Sequence, residues 1–228
     1  MKITWRTEWP HWLVLAAQFA LAGLTWSSMP DRMPIHWGLD GQVNGYGGKF
    51  EGLLALPIIS LALYFLLLWL PRLDPGRANY QSFAGAYAVI RLGVLAVVTV
   101  AYGVIQLEAH GRGVRVEAVM PLALGALLFV IGGVLGKIRP NWLVGIRTPW
   151  TLSSKQAWNR THRAGGWLFI VVGVLSMTLA ILRADWAMQA MIGSLLTGAL
   201  GLVVYSYFVW RADPEKIPPA GTLQAGNG

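Results

Sequence analysis

The sequence predicts an all-α membrane protein, a bundle of six transmembrane helices with a structured outer loop and a short inner interfacial helix. Of its 228 residues, 55% are hydrophobic and only 12% are charged, whereas soluble domains carry roughly 25% charged residues. The mean hydropathy is +0.52. Six stretches approach the length of about 20 apolar residues that a helix needs to cross a hydrocarbon core. Together these observations exclude an ordinary soluble domain.

Each predicted span is a helix because lipid leaves backbone polar groups no partner outside the segment itself. The six spans lie at 12–28, 52–70, 84–107, 119–135, 167–182 and 187–210. We interpret the first as a retained helix and not a signal peptide, since no small-residue cleavage pattern follows it. We expect one transmembrane domain at 1–211 and a disordered cytoplasmic tail at 212–228, which is rich in Pro, Gly and Ala.

The distribution of basic residues predicts that both termini face the cytoplasm. With the N-terminus inside, the inner segments hold 12 Lys and Arg residues and the outer segments hold five, and cytoplasmic loops carry the excess of positive charge. We expect a multi-pass protein of a bacterial cytoplasmic membrane. The net charge of +8 does not indicate nucleic acid, because the cations cluster at the ends of apolar runs. No Cys is present, which excludes thiolate metal sites, and we expect no metal and no cofactor.

The outer loop at 29–51 differs from a simple linker. Asp40 with Gly41 and Asn44 with Gly45 are turn dipeptides that predict a small hairpin or an ordered Gly-rich loop. His36 and Asp40 could bind a metal or act as an acid and base pair. The alternative is that this loop serves structure or partner recognition, and two potential ligands alone do not make a site.

Arg91 is an intramembrane charge, about seven residues inside the third predicted span. An ionisable group at that depth is a functional-site hypothesis, because it costs roughly 2.5 to 3.5 kcal/mol at a helix centre. Arg91 either faces the bundle or extends its long stem towards the inner membrane surface. No acid lies within a predicted span, so the expected partners inside the bundle are backbone carbonyls, Gln18 or a bound anion.

Small residues mark two predicted helix contacts, since small side chains let helix backbones approach closely in lipid. Gly132 and Gly136 form one pair in the fourth span. Gly193, Thr197 and Gly201 form a ladder in the sixth.

The inner basic loop at 137–166 holds six of the 18 Lys and Arg residues, three Trp, one His and no acid. Ser153 and Gln156 have the spacing of a capping box, which predicts a short helix that carries Trp158 and His162. Gly165 and Gly166 are expected to end it. The loop is either an anchor on the inner membrane surface or a recognition site for an inner partner.

Two motifs resemble the SdpI-like family of bacterial membrane proteins, whose members include an immunity protein against a sporulation-delaying peptide toxin. The first is PIHW with the later GYGGK in the outer loop; the second is NWLVGIRTPWTL with the later THRAGG in the inner loop. The resemblance implies a membrane protein without a cofactor that confers resistance to a membrane-active peptide toxin. It also implies a receptor role in signal transduction, in which a transcriptional repressor is held at the membrane.

The resemblance implies partner-binding residues on both faces. In the inner loop they are Asn141, Gly145, Arg147, Thr148, Pro149, Trp150, Thr151, Trp158, Thr161, His162, Arg163 and Gly166. In the outer loop they are Pro34, His36, Trp37, Gly41, Gly45, Tyr46, Gly47 and Lys49. Asn44 stands where the family often has an acid, which weakens a cation-binding role for the outer loop.

Three classes of function remain open at this stage. The first is an immunity or receptor protein, in which the outer loop meets a peptide toxin and the inner loop meets a regulator or anionic lipid headgroups. The second is a membrane enzyme acting on a lipid or isoprenoid phosphate, with Arg147 and Arg163 holding the phosphate and His162 as acid or base; no nearby acid supports it. The third is a transporter, which the lack of acids in the spans disfavours.

Overall fold

The computed structural model describes residues 4–217, which form a helical bundle with one two-stranded sheet. Residues 218–228 of the predicted tail lie outside the described residues. A π-helical turn, Glu51–Ala55, leads into α2, and a 3₁₀ segment, Arg77–Phe83, leads into α3. In chain order the elements are α1 (Trp5–Thr25), β1 (Met33–Trp37), β2 (Val43–Gly47), α2 (Leu56–Leu73), α3 (Ala84–Ala109), α4 (Val116–Leu135), α5 (Pro149–Leu152), α6 (Lys155–Ile181) and α7 (Ala187–Arg211).

Five helical stretches of the described chain are long and apolar enough to cross a membrane, which makes this a multi-pass membrane protein. They are Glu51–Leu73, Arg77–Ala109, Val116–Leu135, Lys155–Ile181 and Ala187–Arg211. They coincide with the second to sixth predicted spans. The first predicted span, 12–28, overlaps α1, which ends at Thr25 and is not among the five.

Helix α1 buries three polar residues on one face. Glu8, His11 and Gln18 are each no more than 4% exposed, whereas Leu13 and Leu24 are 61% and 81% exposed. The buried residues recur with a period close to seven, which keeps them on one side of the helix. The mean hydropathy of α1 averages over these two faces. It therefore underestimates how apolar the exposed side of the helix is.

Arg91 faces the bundle and is 2% exposed. Its two terminal nitrogens donate to the two carboxylate oxygens of Glu8, with Nη2 to Oε2 at 2.7 Å and Nη1 to Oε1 at 3.2 Å. Tyr64 of α2 donates its hydroxyl hydrogen to the same carboxylate at 3.1 Å. The expectation that Arg91 lacks an acidic partner is therefore wrong. Helix α1 begins at Trp5, seven residues before the predicted span, and so brings Glu8 into the bundle.

Glycines allow α4 and α6 to approach until their backbones touch. A Cβ atom on Gly132 would lie 2.6 Å from the carbonyl oxygen of Gly166, and one on Gly125 would lie 2.8 Å from that of Gly173. Gly132 thus makes the helix contact that was predicted for it. The ladder on α7 does not, because Cβ atoms at Gly193 and Gly201 would meet no atom within 4 Å.

The predicted short inner helix is the first part of α6, which continues without interruption to Ile181. Ser154, one residue after the predicted start, caps the helix by accepting a hydrogen bond from the backbone N–H of Ala157 at 2.8 Å. The prediction that Gly165 and Gly166 end the helix is wrong. A glycine costs a helix about 1 kcal/mol, but both glycines are buried in contact with neighbouring side chains or backbone, and that packing outweighs the cost.

Replacing Gly132 with Ala should lower the stability of the bundle. The new methyl group would collide with the backbone of α6, and overpacking of this kind costs about 1–3 kcal/mol. Gly133→Ala is the matched control, because a Cβ there meets no atom within 4 Å. Thermal unfolding of the purified variants in detergent measures the difference; an equal midpoint for the two variants would contradict the α4–α6 contact.

Candidate functional site

A β-hairpin covers one end of the bundle, as predicted from the outer loop. Its turn contains Asp40 and Gly41, but the prediction of a turn at Asn44 and Gly45 is wrong, because both residues lie in β2. Strands β1 and β2 pair antiparallel, with Met33 opposite Gly47 and Trp37 opposite Val43. Met33 is fully buried among residues of α1, α3 and the turn before α2. At the tip, Leu39 accepts a hydrogen bond from Gln189 of α7 at 3.4 Å. The hairpin therefore spans both halves of the bundle.

The structure places the eight predicted outer residues along this hairpin. Its tip contains Gly41, which has a φ of +75° and lies against the side chain of Glu117. Lys49 follows β2 and forms an ion pair with Asp31 at 3.5 Å. Strand β1 carries Pro34, His36 and Trp37, and strand β2 carries Gly45, Tyr46 and Gly47.

His36 and Asp40 do not form the acid and base pair that the sequence left open. Nδ1 of His36 hydrogen-bonds the Oδ1 atom of Asn44 across the hairpin. The carboxylate of Asp40 instead accepts the backbone N–H of Gln42 at 3.1 Å within the turn. The described residues contain no group of three or more His, Cys, Asp or Glu side chains arranged to hold a metal ion.

Between the hairpin and the helix ends lies a cavity of about 480 Å³. Its volume is in the range of small-molecule and side-chain binding sites. Most of the wall is apolar. It comes from the hairpin, the π-helical turn and the start of α2, and from α3 and α4, with Met188 contributed by α7. Glu51, Glu117 and His36 are the ionisable residues of the lining. We call this space the outer cavity.

The opposite end of the bundle is covered by the inner basic loop, which Asn141 and Asp74 hold in shape. The Asn141 side chain accepts hydrogen bonds from the backbone N–H groups of Leu143 at 3.0 Å and Val144 at 2.6 Å, and it donates to two backbone carbonyls. Asp74, after α2, accepts the backbone N–H groups of Trp142 and Leu143 and the hydroxyl of Tyr80. These contacts bind the loop to the first half of the chain.

His162 of α6 is fully buried and uses both ring nitrogens. The backbone N–H of Ile146 donates to Nε2 at 3.0 Å, and Nδ1 lies 2.8 Å from the carbonyl oxygen of Trp158. Because Nε2 accepts, the proton is on Nδ1 and the ring is neutral. The ring also stacks on the Trp158 indole at 4.0 Å, and that indole donates to the carbonyl of Ile138 at 2.8 Å.

The Thr148–Thr151 segment of the motif forms the one-turn helix α5. The side chains of Thr148 and Thr151 accept from each other's backbone N–H groups at 2.9 Å and 3.1 Å, which is a capping box, and Pro149 occupies the first helical position. The hydroxyl of Thr148 also contacts that of Ser206 in α7 at 3.0 Å. The capping of this turn therefore explains why Thr148, Pro149 and Thr151 occur in this order in the motif.

Helices α6 and α7 are joined beside this turn by Ser154 and Asp213. The hydroxyl of Ser154 donates to the carboxylate of Asp213, and it lowers the pKa of that carboxyl below its usual value of 3.8. The backbone N–H of Glu215 adds to the effect. Ile217 donates its backbone N–H to Ser153 at 3.0 Å. The start of the predicted tail thus contacts the inner basic loop.

The predicted inner residues divide into a buried set and an exposed set. Arg147 and Arg163 are exposed, and Arg147 donates to the carbonyl of Trp142 at 2.7 Å. Pro149 and Gly145 are also exposed, and Trp150 is partly buried against Tyr207. Within residues 4–217, none of the six cations of the loop lies within 4.0 Å of a carboxylate. The buried set comprises Asn141, Thr148, Thr151, Trp158, Thr161, His162 and Gly166.

Sequence reasoning missed two acids that organise the inner half of the bundle, Glu8 and Asp74. Glu8 has a detectable signal, because Glu8, His11, Gln18 and Thr25 repeat at intervals of three and seven residues, and Glu8, His11 and Gln18 are buried. Asp74 has none, since the backbone N–H groups of the loop that donate to it lie 68 and 69 positions away. The outer cavity also lacked a signal, because its walls come from distant parts of the chain.

Comparisons with known proteins confirm the resemblance to the SdpI-like family. The model of the SdpI/YfhL protein family matches residues 137–206, which begin at the inner basic loop. A separate model, a domain of unknown function (DUF1648), matches residues 13–61, which include the hairpin. The Immunity protein SdpI of Bacillus subtilis (strain 168) is 21% identical over 201 residues, which cover 87% of this chain and 93% of that protein. No solved structure matches the chain significantly.

Replacing Gly145 with Ala should destabilise the inner basic loop. Gly145 has a φ of +113°, and a Cβ atom there would collide with Nε2 of His162. A residue held in this backbone region costs about 1–3 kcal/mol. Gly136→Ala is the control, because its nearest contact would be 3.9 Å away. Limited proteolysis between α4 and α6 should be faster in Gly145→Ala than in the control; equal rates would contradict the role of His162 as an acceptor for the loop.

Proposed function

We propose that this chain, which resembles the SdpI-like family over most of its length, is an immunity protein of the cytoplasmic membrane. In this proposal it protects its host from a membrane-active peptide by receiving part of that peptide in the outer cavity. The observation that carries the proposal is the cavity itself, about 480 Å³ of mainly apolar space enclosed by the hairpin and the outer helix ends. The similarity to an immunity protein over 87% of the chain supports it.

The apolar walls suit a peptide that partitions into membranes. Leu56, Val104 and Met120 line the cavity, as does Trp37 from the hairpin. Burying one large apolar side chain contributes roughly 1.5–3 kcal/mol. Met120 and Met188 can adapt their unbranched side chains to different partners. A peptide held there is kept from the lipid on which it acts.

In the proposed topology α1 also crosses the membrane, which brings the number of spans to six, and both termini are cytoplasmic. Its outward face is apolar, and its polar face is bound to α3 through Glu8 and Arg91. The inner basic loop would then lie in the cytoplasm, as the excess of Lys and Arg favours. The hairpin and the outer cavity would face the outside, where a peptide arrives.

The inner basic loop is proposed to bind an acidic cytoplasmic regulator or anionic lipid headgroups. Its buried residues keep the loop rigid, and its exposed cations, including Arg147 and Arg163, have no carboxylate partner in the described chain. Clustered cations at a membrane surface each contribute about 1 kcal/mol to binding an anionic surface. In this proposal the exposed cations bind the partner, and the buried residues of the motif hold those cations in position.

The enzyme and transporter alternatives have less support. His162 is enclosed and both its nitrogens are bound to backbone groups, so it is not placed to act as an acid or base on a lipid phosphate. The transporter was disfavoured for lack of an acid inside the spans, and Glu8 corrects that premise. Glu8 is bound by both Arg91 and Tyr64, and the void beside them is only about 10 Å³, which is room for about one water molecule.

Single cysteines should report the proposed topology, because the chain has no native Cys. Asp40→Cys should react with a membrane-impermeant maleimide in intact cells. Lys155→Cys and Ile217→Cys should react only after permeabilisation. Labelling of Lys155→Cys in intact cells would reverse the orientation, and labelling of Thr4→Cys from the same side as Asp40→Cys would contradict a crossing of the membrane by α1.

Filling the outer cavity should abolish protection. Ala101 lines the cavity, and Ala101→Phe places a ring where the peptide would bind. Leu107→Phe is the control on the same helix, at a position that is 48% exposed. Survival of a sensitive host is measured across a panel of membrane-active peptides, with membrane levels of each variant checked by immunoblot. We expect protection by wild type and Leu107→Phe and a loss of about tenfold or more with Ala101→Phe; no protection by wild type would refute the proposed function.

A further inference from the structure

The outer cavity combines apolar walls with acidic charge. Its lining includes Glu51 and Glu117, and no Lys or Arg lines it. The protein as a whole carries a net charge of +8. The cavity is therefore an acidic site in a basic protein.

Both carboxylates are held in place by other groups. An oxygen of Glu51 accepts a hydrogen bond from the backbone N–H of Gly48 at 2.9 Å. An oxygen of Glu117 accepts one from the Nε–H of Arg115 at 2.7 Å. The second oxygen of each carboxylate accepts no hydrogen bond from residues 4–217. Each glutamate can thus accept a further donor without giving up its present one.

The nearby guanidinium does not neutralise this site. Arg115 is shared between Glu117 and Asp185, with its Nη2 atom 3.6 Å from the Asp185 carboxylate. His36, the remaining ionisable lining residue, has its Nδ1 atom bound to Asn44. Two carboxylates, those of Glu117 and Asp185, therefore share one arginine, and Glu51 adds a further negative charge to the cavity lining.

Charge complementarity decides between the possible occupants. An anionic lipid headgroup would face two carboxylates with no lining cation to pair with, which repels it. A cation beside apolar walls is attracted more strongly than in water, because the local dielectric constant is lower. The site fits a ligand whose apolar part enters the cavity while its positive charge meets Glu51 and Glu117.

We infer that the outer cavity binds a cationic apolar peptide segment, in which bulky apolar side chains stand next to a Lys or Arg. This inference rests on the proposed function and specifies the peptide class that the cavity receives. The apolar walls supply most of the affinity. The two glutamates select for positive charge over neutral or acidic peptides.

Two synthetic peptides test the inference by equilibrium dialysis against the purified full chain in detergent. The first is acetyl-Leu-Trp-Lys-Leu-amide, and the second carries Gln in place of Lys, so that they differ by one positive charge. Wild type should bind the Lys peptide about tenfold more tightly at low salt, and the preference should shrink as salt screens the charges. Glu51→Gln and Glu117→Gln should each reduce the preference to about threefold or less.

Asp31→Asn is the matched control, because its side chain is 99% exposed on the same face and does not line the cavity. It should keep the full preference for the Lys peptide. The glutamine variants keep an acceptor oxygen for Gly48 or Arg115, and their thermal midpoints should match that of wild type. Equal binding of the two peptides by wild type, an unchanged preference in both glutamine variants, or no binding of either peptide would overturn the inference. The proposed function is tested separately, by the survival of hosts that express wild type or Ala101→Phe.

Discussion

A polar group inside a bilayer must find a partner within the protein, and this constraint fixes how the bundle is assembled. Arg91 would cost several kcal/mol if it were left unpaired in hydrocarbon. Glu8 of α1 accepts hydrogen bonds from both terminal nitrogens of Arg91, and Tyr64 joins the pair from α2. The ion pair therefore decides which face of α1 is buried. It also explains how a helix with a glutamate near its start can be part of a membrane domain.

The same constraint explains the order of residues in the inner basic loop. Its backbone leaves regular structure between α4 and α5, so its N–H groups need acceptors. Asn141, Asp74 and His162 supply them, and Thr148 and Thr151 cap the turn that follows. A sequence motif that resembles a recognition signal is for the most part a scaffold. Under the proposed function, the exposed cations that the scaffold holds carry the recognition.

Much of the fold could be predicted from the sequence, because its determinants are local. Hydropathy located five of the spans, and the Asp40–Gly41 turn indicated the hairpin. The bounds of α1 and α6 could not be obtained this way, since Glu8 is buried by a partner 83 positions away and Gly165 and Gly166 are tolerated because they pack against neighbouring groups. The site was predicted in part. The motif residues of the hairpin and inner loop were found, but the cavity exists only once four helices and the hairpin are assembled.

The glycine contacts between α4 and α6 also restrict how the protein can move. Gly125 meets Gly173 and Gly132 meets Gly166, so the contacts are seven residues apart on both antiparallel helices. A shift of one helix along the other would bring larger side chains to the crossing points until about seven residues, or roughly 10 Å, had passed. Gradual sliding is thereby excluded as a source of conformational change. A movement of α4 or α6 that links the two membrane faces would therefore carry the two helices together as a single rigid body.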